Sequence, residues 1–164
     1  MKIITLHQPW ATLIALGYKQ YETRSWSTQY RGALAIHAAQ KPIVENDLLA
    51  RVAYDSVGHL EYSYLKSLNY EYGKIVCVCE ITDCLAMTEQ HHPGRLDPTI
   101  DIRPISVLEK AVGGWQSGRY AWELKNVQVL DVPVVYKGAQ GLRSVDGATA
   151  SFLEGFIFGR SMSS

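Results

Sequence analysis

Lys19, Glu22 and Arg24 crowd into the segment Gly17-Tyr18-Lys19-Gln20-Tyr21-Glu22-Thr23-Arg24, shortly after His7-Gln8-Pro9-Trp10. If the segment is a strand, side chains alternate, so Glu22, Arg24 and Trp26 share a face while Lys19 starts on the other. Charge beside a large aromatic surface suits a ligand that combines negative charge with a flat ring, such as a nucleotide. Arg24 brings a planar fork for phosphate or carboxylate, and Lys19 a mobile point charge able to curl over the same site. Glu22 either orients Arg24 or accepts a hydrogen bond from a base edge or a ribose hydroxyl. Trp10 and Trp26 are stacking candidates, a contact worth about 1–3 kcal/mol per base. Trp10, on an amphipathic helix, fits a core position at least as well. The plainer alternative for Glu22 and Arg24 is an ion pair on an exposed strand, stabilising by roughly 0–1 kcal/mol.

Glu80 is the second point of interest, because Val76, Val78, Glu80 and Thr82 share one face of an apolar strand. A carboxylate buried alone there is disfavoured as the anion. It either closes a salt bridge with Lys19, Arg24 or Arg31, or joins Lys19 in a cleft as a general base. His37, on the third expected strand, either lines that cleft or is a satisfied structural histidine. Lys137-Gly138-Ala139-Gln140-Gly141-Leu142 is a glycine-punctuated turn; its glycines allow close backbone approach to a ligand, and Lys137 and Arg143 add positive charge. A plain connecting turn explains the glycines equally well. Cys77, Cys79, Cys84 and His91-His92 fit none of the usual zinc spacings, and the cysteines read as core residues, so neither a metal nor a cofactor is expected.

The elements that must position these residues follow from periodicity. Lys2 to Leu6 reads as a first strand. Pro9 opens a helix that Gly17 stops, with Trp10, Leu13, Ile14 and Leu16 at helical spacing. Tyr18 to Trp26 reads as a second strand, Tyr30-Arg31-Gly32 as a turn and Ala33 to Ala38 as a third strand, giving strand, helix, then hairpin. Ile43, Asp47, Leu48, Arg51 and Val52 form an amphipathic stripe after Lys41-Pro42, and Leu60, Tyr64 and Leu68 follow as a second helix or turn. Gly73 to Cys84 is the clearest strand. The stretch 86–119, with Pro93, Pro98, Pro104 and the Gly113-Gly114 pair, reads as a functional loop or lid. Arg119 to Leu124 and Val127 to Tyr136 are the last two strands. Phe152, Phe156 and Ile157 mark a docking helix before a frayed Ser161-Met162-Ser163-Ser164 end.

Composition bounds the rest. A chain of 164 residues is expected to be one domain, 1–164, with a core of its own. Basic and acidic residues number 16 each, so bulk attraction does not hold a polyanion and any such ligand needs a local basic cleft. No apolar run reaches the roughly 20 residues of a membrane helix, and residues 1–7 lack the apolar core of a signal peptide. With three cysteines and no signal sequence, the expectation is a soluble cytoplasmic protein. Strands and helices in non-alternating order imply an α+β fold with a mostly antiparallel, barrel-like sheet of about six strands and flanking helices.

Three segments carry a family resemblance: Leu6-His7-Gln8-Pro9-Trp10-Ala11, Gly17 to Trp26 with its G-x-K-x-x-E-x-R pattern, and Tyr30-Arg31-Gly32-Ala33-Leu34-Ala35-Ile36-His37-Ala38. Together with Gly73 to Leu85, Tyr120 to Leu124 and Lys137 to Leu142 they resemble the ASCH (activating signal cointegrator homology) domain. The resemblance implies a PUA-like β-barrel with a charged cleft, and partners among single-stranded RNA, DNA or nucleotide-like ligands. One bacterial branch resembling this fold hydrolyses acetylated cytidine with a threonine, a lysine and a glutamate. Here Lys19 and a candidate glutamate, Glu80, are present, but Glu22 stands where that threonine would be. A hydrolase acting on modified nucleosides or RNA, with Lys19, Glu22 and Glu80 as its groups, is therefore the alternative to a binding module. A third reading is a protein-interaction surface built on Tyr54, Tyr62, Tyr64, Tyr70 and Tyr72.

Overall fold

The computed structural model describes residues 1–43, 46–92, 95–100 and 103–162. Pro93 and the two terminal serines, assigned above to a loop and a frayed end, lie outside them. The order of elements is β1 (Lys2–Leu6), α1 (Trp10–Ala15), β2 (Tyr21–Arg24), β3 (Gly32–Ala38), α2 (Asn46–Asp55) and α3 (Tyr62–Ser67). Then come β4 (Lys74–His92), β5 (Arg95–Ile100), β6 (Arg103–Pro104), α4 (Val107–Ala111), β7 (Tyr120–Val135), β8 (Arg143–Ser144) and α5 (Gly147–Ser161).

The sheet runs in the order β2-β7-β4-β3-β1-β8, with β5 and β6 extending from β4. Among the described residues only β1 and β3 pair in parallel, and the other pairs are antiparallel. This is the expected α+β class with a mostly antiparallel sheet. The expected barrel closure does not occur, because the end strands β2 and β8 do not pair among the described residues. At four and two residues they also offer few backbone groups for a closing ladder.

The predicted hairpin is also corrected, since β2 pairs with β7 and β3 lies between β1 and β4. Burial explains the difference. Leu34, Ala35 and Ile36 of β3 are fully buried and need apolar strands on both flanks, whereas the charge-bearing β2 takes an edge. The second strand is shorter than predicted because Tyr18 and Lys19 donate their amides to the Leu13 carbonyl and finish α1. Gly17, at φ +84°, makes that stop possible.

Two layers cover the sheet. Ala11 and Ile14 of α1 pack with Leu34, Ile36, Cys77, Cys79 and Trp122 on one face. Leu153 of α5 packs with Ile3, Ala35, Ile75, Val78 and Leu130 in a second cluster. The buried row of α5 runs through Leu153, with Ala150, Phe156 and Ile157 partly buried beside it; Phe152, expected on that row, is exposed. Leu13 faces the other way from Ile14 and joins a helical cluster with Leu49, Val52, Leu65 and Val112. β4 and β7 each run longer than the sequence predicts, and one continuous β7 replaces two strands, with Asn126 at φ +54° inside it.

Candidate nucleotide-binding cleft

The open side of the sheet holds a cleft of about 1070 Å³. Its lining comes from both ends of the strand order: Glu22, Thr23 and Arg24 from β2, and Thr5 and Leu6 from β1 with the 138–141 turn that leads to β8. The cleft thus occupies the gap that barrel closure would have filled. Trp10, Glu22, Arg24, Trp26, His37, Lys137, Gly138 and Gln140, all singled out from the sequence, line it together.

Glu22 is buried and sits between two cations. Its Oε1 lies 2.9 Å from Arg24 Nε and its Oε2 lies 3.7 Å from Lys19 Nζ. The Arg24 contact is an ion pair without the alignment of a hydrogen bond, and the terminal guanidinium nitrogens take no protein partner among the described residues. Arg24 is therefore held by its stem while its fork stays available. Trp26 is 37% exposed and packs edge-on against the buried Trp122, with ring centroids 4.7 Å apart. That contact fixes the indole and leaves part of it open to the cleft. Trp10 is partly buried against both the sheet cluster and the helical cluster, so it serves the core and the cleft wall at once.

Lys19 departs from the mobile role predicted for it. Only 3% of it is exposed, and its Nζ donates to the Val112 carbonyl at 2.9 Å. Burial pushes its pKa below the ordinary lysine value, while Glu22 and Glu109 act in the opposite direction. It lines a separate groove behind Glu22 and not the cleft. The reason is local: with residues 18 and 19 capping α1, Lys19 precedes β2 and points toward α4.

The segment around α4, read as a loop or lid, is clamped to β2 by several bonds. Gln20 N, just before β2, donates to Glu109 Oε1 at 2.6 Å, Gly114 N to Thr23 Oγ1 at 2.8 Å, and Arg119 Nη2 to the Thr23 carbonyl at 3.4 Å. Glu109 is itself buried, its Oε2 has no partner, and desolvation raises its pKa against the pull of the Gln20 amide and Lys19.

On the opposite wall, His37 is buried and its Nε2 lies 2.8 Å from the Tyr136 carbonyl. A carbonyl only accepts, so Nε2 carries a proton. Nδ1 has no partner. Gly138 lies directly over this ring: an added Cβ would come within 2.8 Å of His37 Cε1 and 3.0 Å of Nδ1 and of Thr5 Oγ1. Here close approach between turn and strand, and not a special φ, requires glycine. Thr5 Oγ1 also accepts from the Ala139 amide at 3.2 Å, which pins the turn. Lys137 is exposed and has no protein partner among the described residues.

Glu80 is placed elsewhere. It is exposed, accepts from Asn126 Nδ2 at 2.7 Å, and lines a cavity with Gln128, Glu154 and Ile157 beside α5. The β3–β4 ladder skips Val76, so Val76 packs in the first cluster and Val78 in the second; Glu80 keeps the face of Val78, which leads to the cavity beside α5 and not to the cleft. Lys19 and Glu80 line different cavities, and the predicted acid–base pair is not assembled. Cys77 and Cys79 are buried in the core; burial raises both thiols, that of Cys79 to about 12. Among the described residues no group of three His, Cys, Asp or Glu is placed to hold a metal. The side chains of His91 and His92, part of the metal reading, lie outside the described set.

The tyrosines of 54–72 divide. Tyr54, Tyr62 and Tyr64 are exposed. Tyr70 donates to the Leu65 carbonyl at 2.7 Å, with its pKa pushed up by burial to about 12, and Tyr72 accepts from the Ile43 amide at 3.3 Å. Sequence reasoning missed Thr5, His7, Thr23, Gln40 and Tyr136 of the cleft. His7 stood in a quoted motif, and alternation along β1 places Thr5 with it; Tyr136 and Gln40 carried no signal before the topology was known.

A mixed sheet with flanking helices, carrying a charged and aromatic cleft at its open edge, fits a PUA-like α+β domain. Residues 4–133 match the ASCH domain, and the chain belongs to that family, which is generally linked to RNA binding. It is similar to activating signal cointegrator 1 of Homo sapiens (31% identity over 87 residues) and of Mus musculus (31% over 94). Each match covers 52% of this chain and 15% of the relative's length. Among the described residues no helix is long and apolar enough to cross a membrane.

Proposed function

We propose that the cleft recognises a nucleotide unit of a nucleic acid or a nucleotide-like ligand. The observation that carries this reading is the Arg24 fork, held by Glu22 at its stem and unpartnered at its tip, beside the fixed and partly exposed face of Trp26. The fork receives a phosphate, the indole stacks on a base, and the exposed Lys137 adds positive charge on the facing wall. The glycine turn lets the backbone at 138–141 approach the ligand closely. Membership of a family generally linked to RNA binding is consistent with this use. The Lys19–Glu80 pair that motivated a hydrolase is not assembled, so recognition is the reading the geometry favours.

The test is calorimetric titration with nucleotides and short oligonucleotides on the wild type, Arg24→Ala and Trp26→Ala. Arg24→Ala is expected to weaken binding and flatten its salt dependence, while Trp26→Ala weakens binding with the salt dependence kept. Wild-type affinity and salt slope in both variants would refute the assignment.

A further inference from the structure

A second groove, of about 520 Å³, opens on the far side of Glu22. It shares Trp10, Glu22 and Thr23 with the cleft, so the two cavities are separated by one shared wall. Lys19 lies in this groove. An ammonium has three N–H donors; one goes to the Val112 carbonyl and another faces Glu22 at 3.7 Å, which leaves one for an acceptor. Arg51, on α2, lines the groove, is exposed, and has no protein partner among the described residues. Lys110 of α4 lines it as well. Asp55, one turn from Arg51, is the opposing charge, and Glu22 is already shared between Lys19 and Arg24. The groove therefore leans positive in a chain whose net charge is zero.

We propose that this groove takes the neighbouring phosphate of a strand whose adjacent nucleotide occupies the cleft. The ligand is then a single-stranded polynucleotide and not a free nucleotide, an inference that rests on the nucleotide reading of the cleft. Arg24 and Arg51 hold successive parts of one backbone, with Trp10 and Glu22 forming the ridge the strand crosses. A single strand fits because the bases must be unstacked from their own neighbours before Trp26 can hold one.

The experiment measures a 5′-mononucleotide and tetranucleotides of RNA and DNA across a range of salt, on the wild type, Arg24→Ala, Arg51→Ala and Asp55→Asn. Arg51→Ala is expected to weaken tetranucleotide binding roughly 3–10-fold and to reduce the log–log salt slope by about 0.7, with mononucleotide affinity kept. Asp55→Asn should tighten the tetranucleotide, and Arg24→Ala should weaken both ligands. Dependence on Arg51 with either sugar supports the proposal. If Arg51→Ala binds the tetranucleotide like the wild type while the mononucleotide still depends on Arg24, the groove assignment falls and the cleft stands. If no nucleotide of any length binds, both fall. An acidic peptide that binds through Arg51 with no competition from the tetranucleotide would also overturn the proposal.

Discussion

Replacing Lys19 with alanine separates a ligand-contacting lysine from a clamping one. The substitution deletes three buried methylenes, worth about 2.4 kcal/mol at roughly 0.8 kcal/mol each. It leaves the Val112 carbonyl, at the end of α4, without the donor that lies 2.9 Å away in the wild type, a loss of about 1–3 kcal/mol. It also leaves Glu22 to Arg24 alone and removes the cation that eases the burial of Glu109. Against these losses stands the relief of no longer desolvating an ammonium, several kcal/mol in the opposite direction. The about 3–5 kcal/mol typical of removing one partner of a buried pair is a net figure that already contains this relief, and it sets the expected loss. With typical domain stabilities of about 5–15 kcal/mol, that is a large fraction of the total. Urea unfolding reads it as a drop in midpoint at unchanged slope. Lys19→Met, which keeps most of the stem volume, should lose less. An alanine variant within about 0.5 kcal/mol of wild type, whatever its ligand affinity, would refute the clamp.

Three further outcomes follow from the same geometry. Gly138→Ala forces a Cβ to within 2.8 Å of the His37 ring, so urea unfolding should show a loss of about 1–3 kcal/mol; a smaller loss is expected in a His37→Ala background, because two of the three contacts are with the imidazole. Glu109 has its pKa raised on folding, so the folded state holds its proton more tightly and stability is lost as pH rises from about 4.5 through the raised value. Glu109→Gln should therefore gain stability relative to wild type across that window, and a pH-independent difference would refute it. Gln8 bridges α1 and the 71 region, accepting from Thr12 N at 3.0 Å and donating to the Glu71 carbonyl at 2.9 Å; Gln8→Ala should lower thermal stability, read by calorimetry, by about 1–3 kcal/mol.

Much of the site was legible because it depends on short-range rules. Strand alternation placed Glu22, Arg24 and Trp26 on one face, and the structure brings all three to the cleft. The glycine turn at 138–141 was visible as punctuation, although the reason for Gly138, the His37 ring beneath it, is a tertiary contact no local pattern encodes. Pairing was the illegible part. The β2–β7 ladder joins residues about a hundred positions apart, and the sequence around 25–31 looked like the simpler hairpin. Glu80 failed for a different reason: alternation counted through Val76, which the β3–β4 ladder skips, so Val76 and Val78 lie on opposite faces and Glu80 follows Val78 toward α5. Lys19 failed because the end of α1 uses the first residues of the expected strand as its cap.

The spacing of lysine, glutamate and arginine acquires a physical reason from this arrangement. Arg24 and Glu22 are two apart on a strand, so they share a face and the glutamate can steady the arginine stem without occupying its tip. Lys19 is three before Glu22, but the α1 cap intervenes, so it approaches the same carboxylate from behind, through the helical layer. Glu22 thus joins two cations, the inner one tying the start of β2 to the α4 segment and the outer one facing the cleft. At position 18 the side chain meets Tyr64 and at position 20 it is exposed to solvent, so a lysine moved to either would lose the Val112 carbonyl. A glutamate alone at the edge of an open sheet would repel a phosphate. Neutralised from one side and used as an orienting group on the other, it makes a basic site in a chain with no net charge to spare.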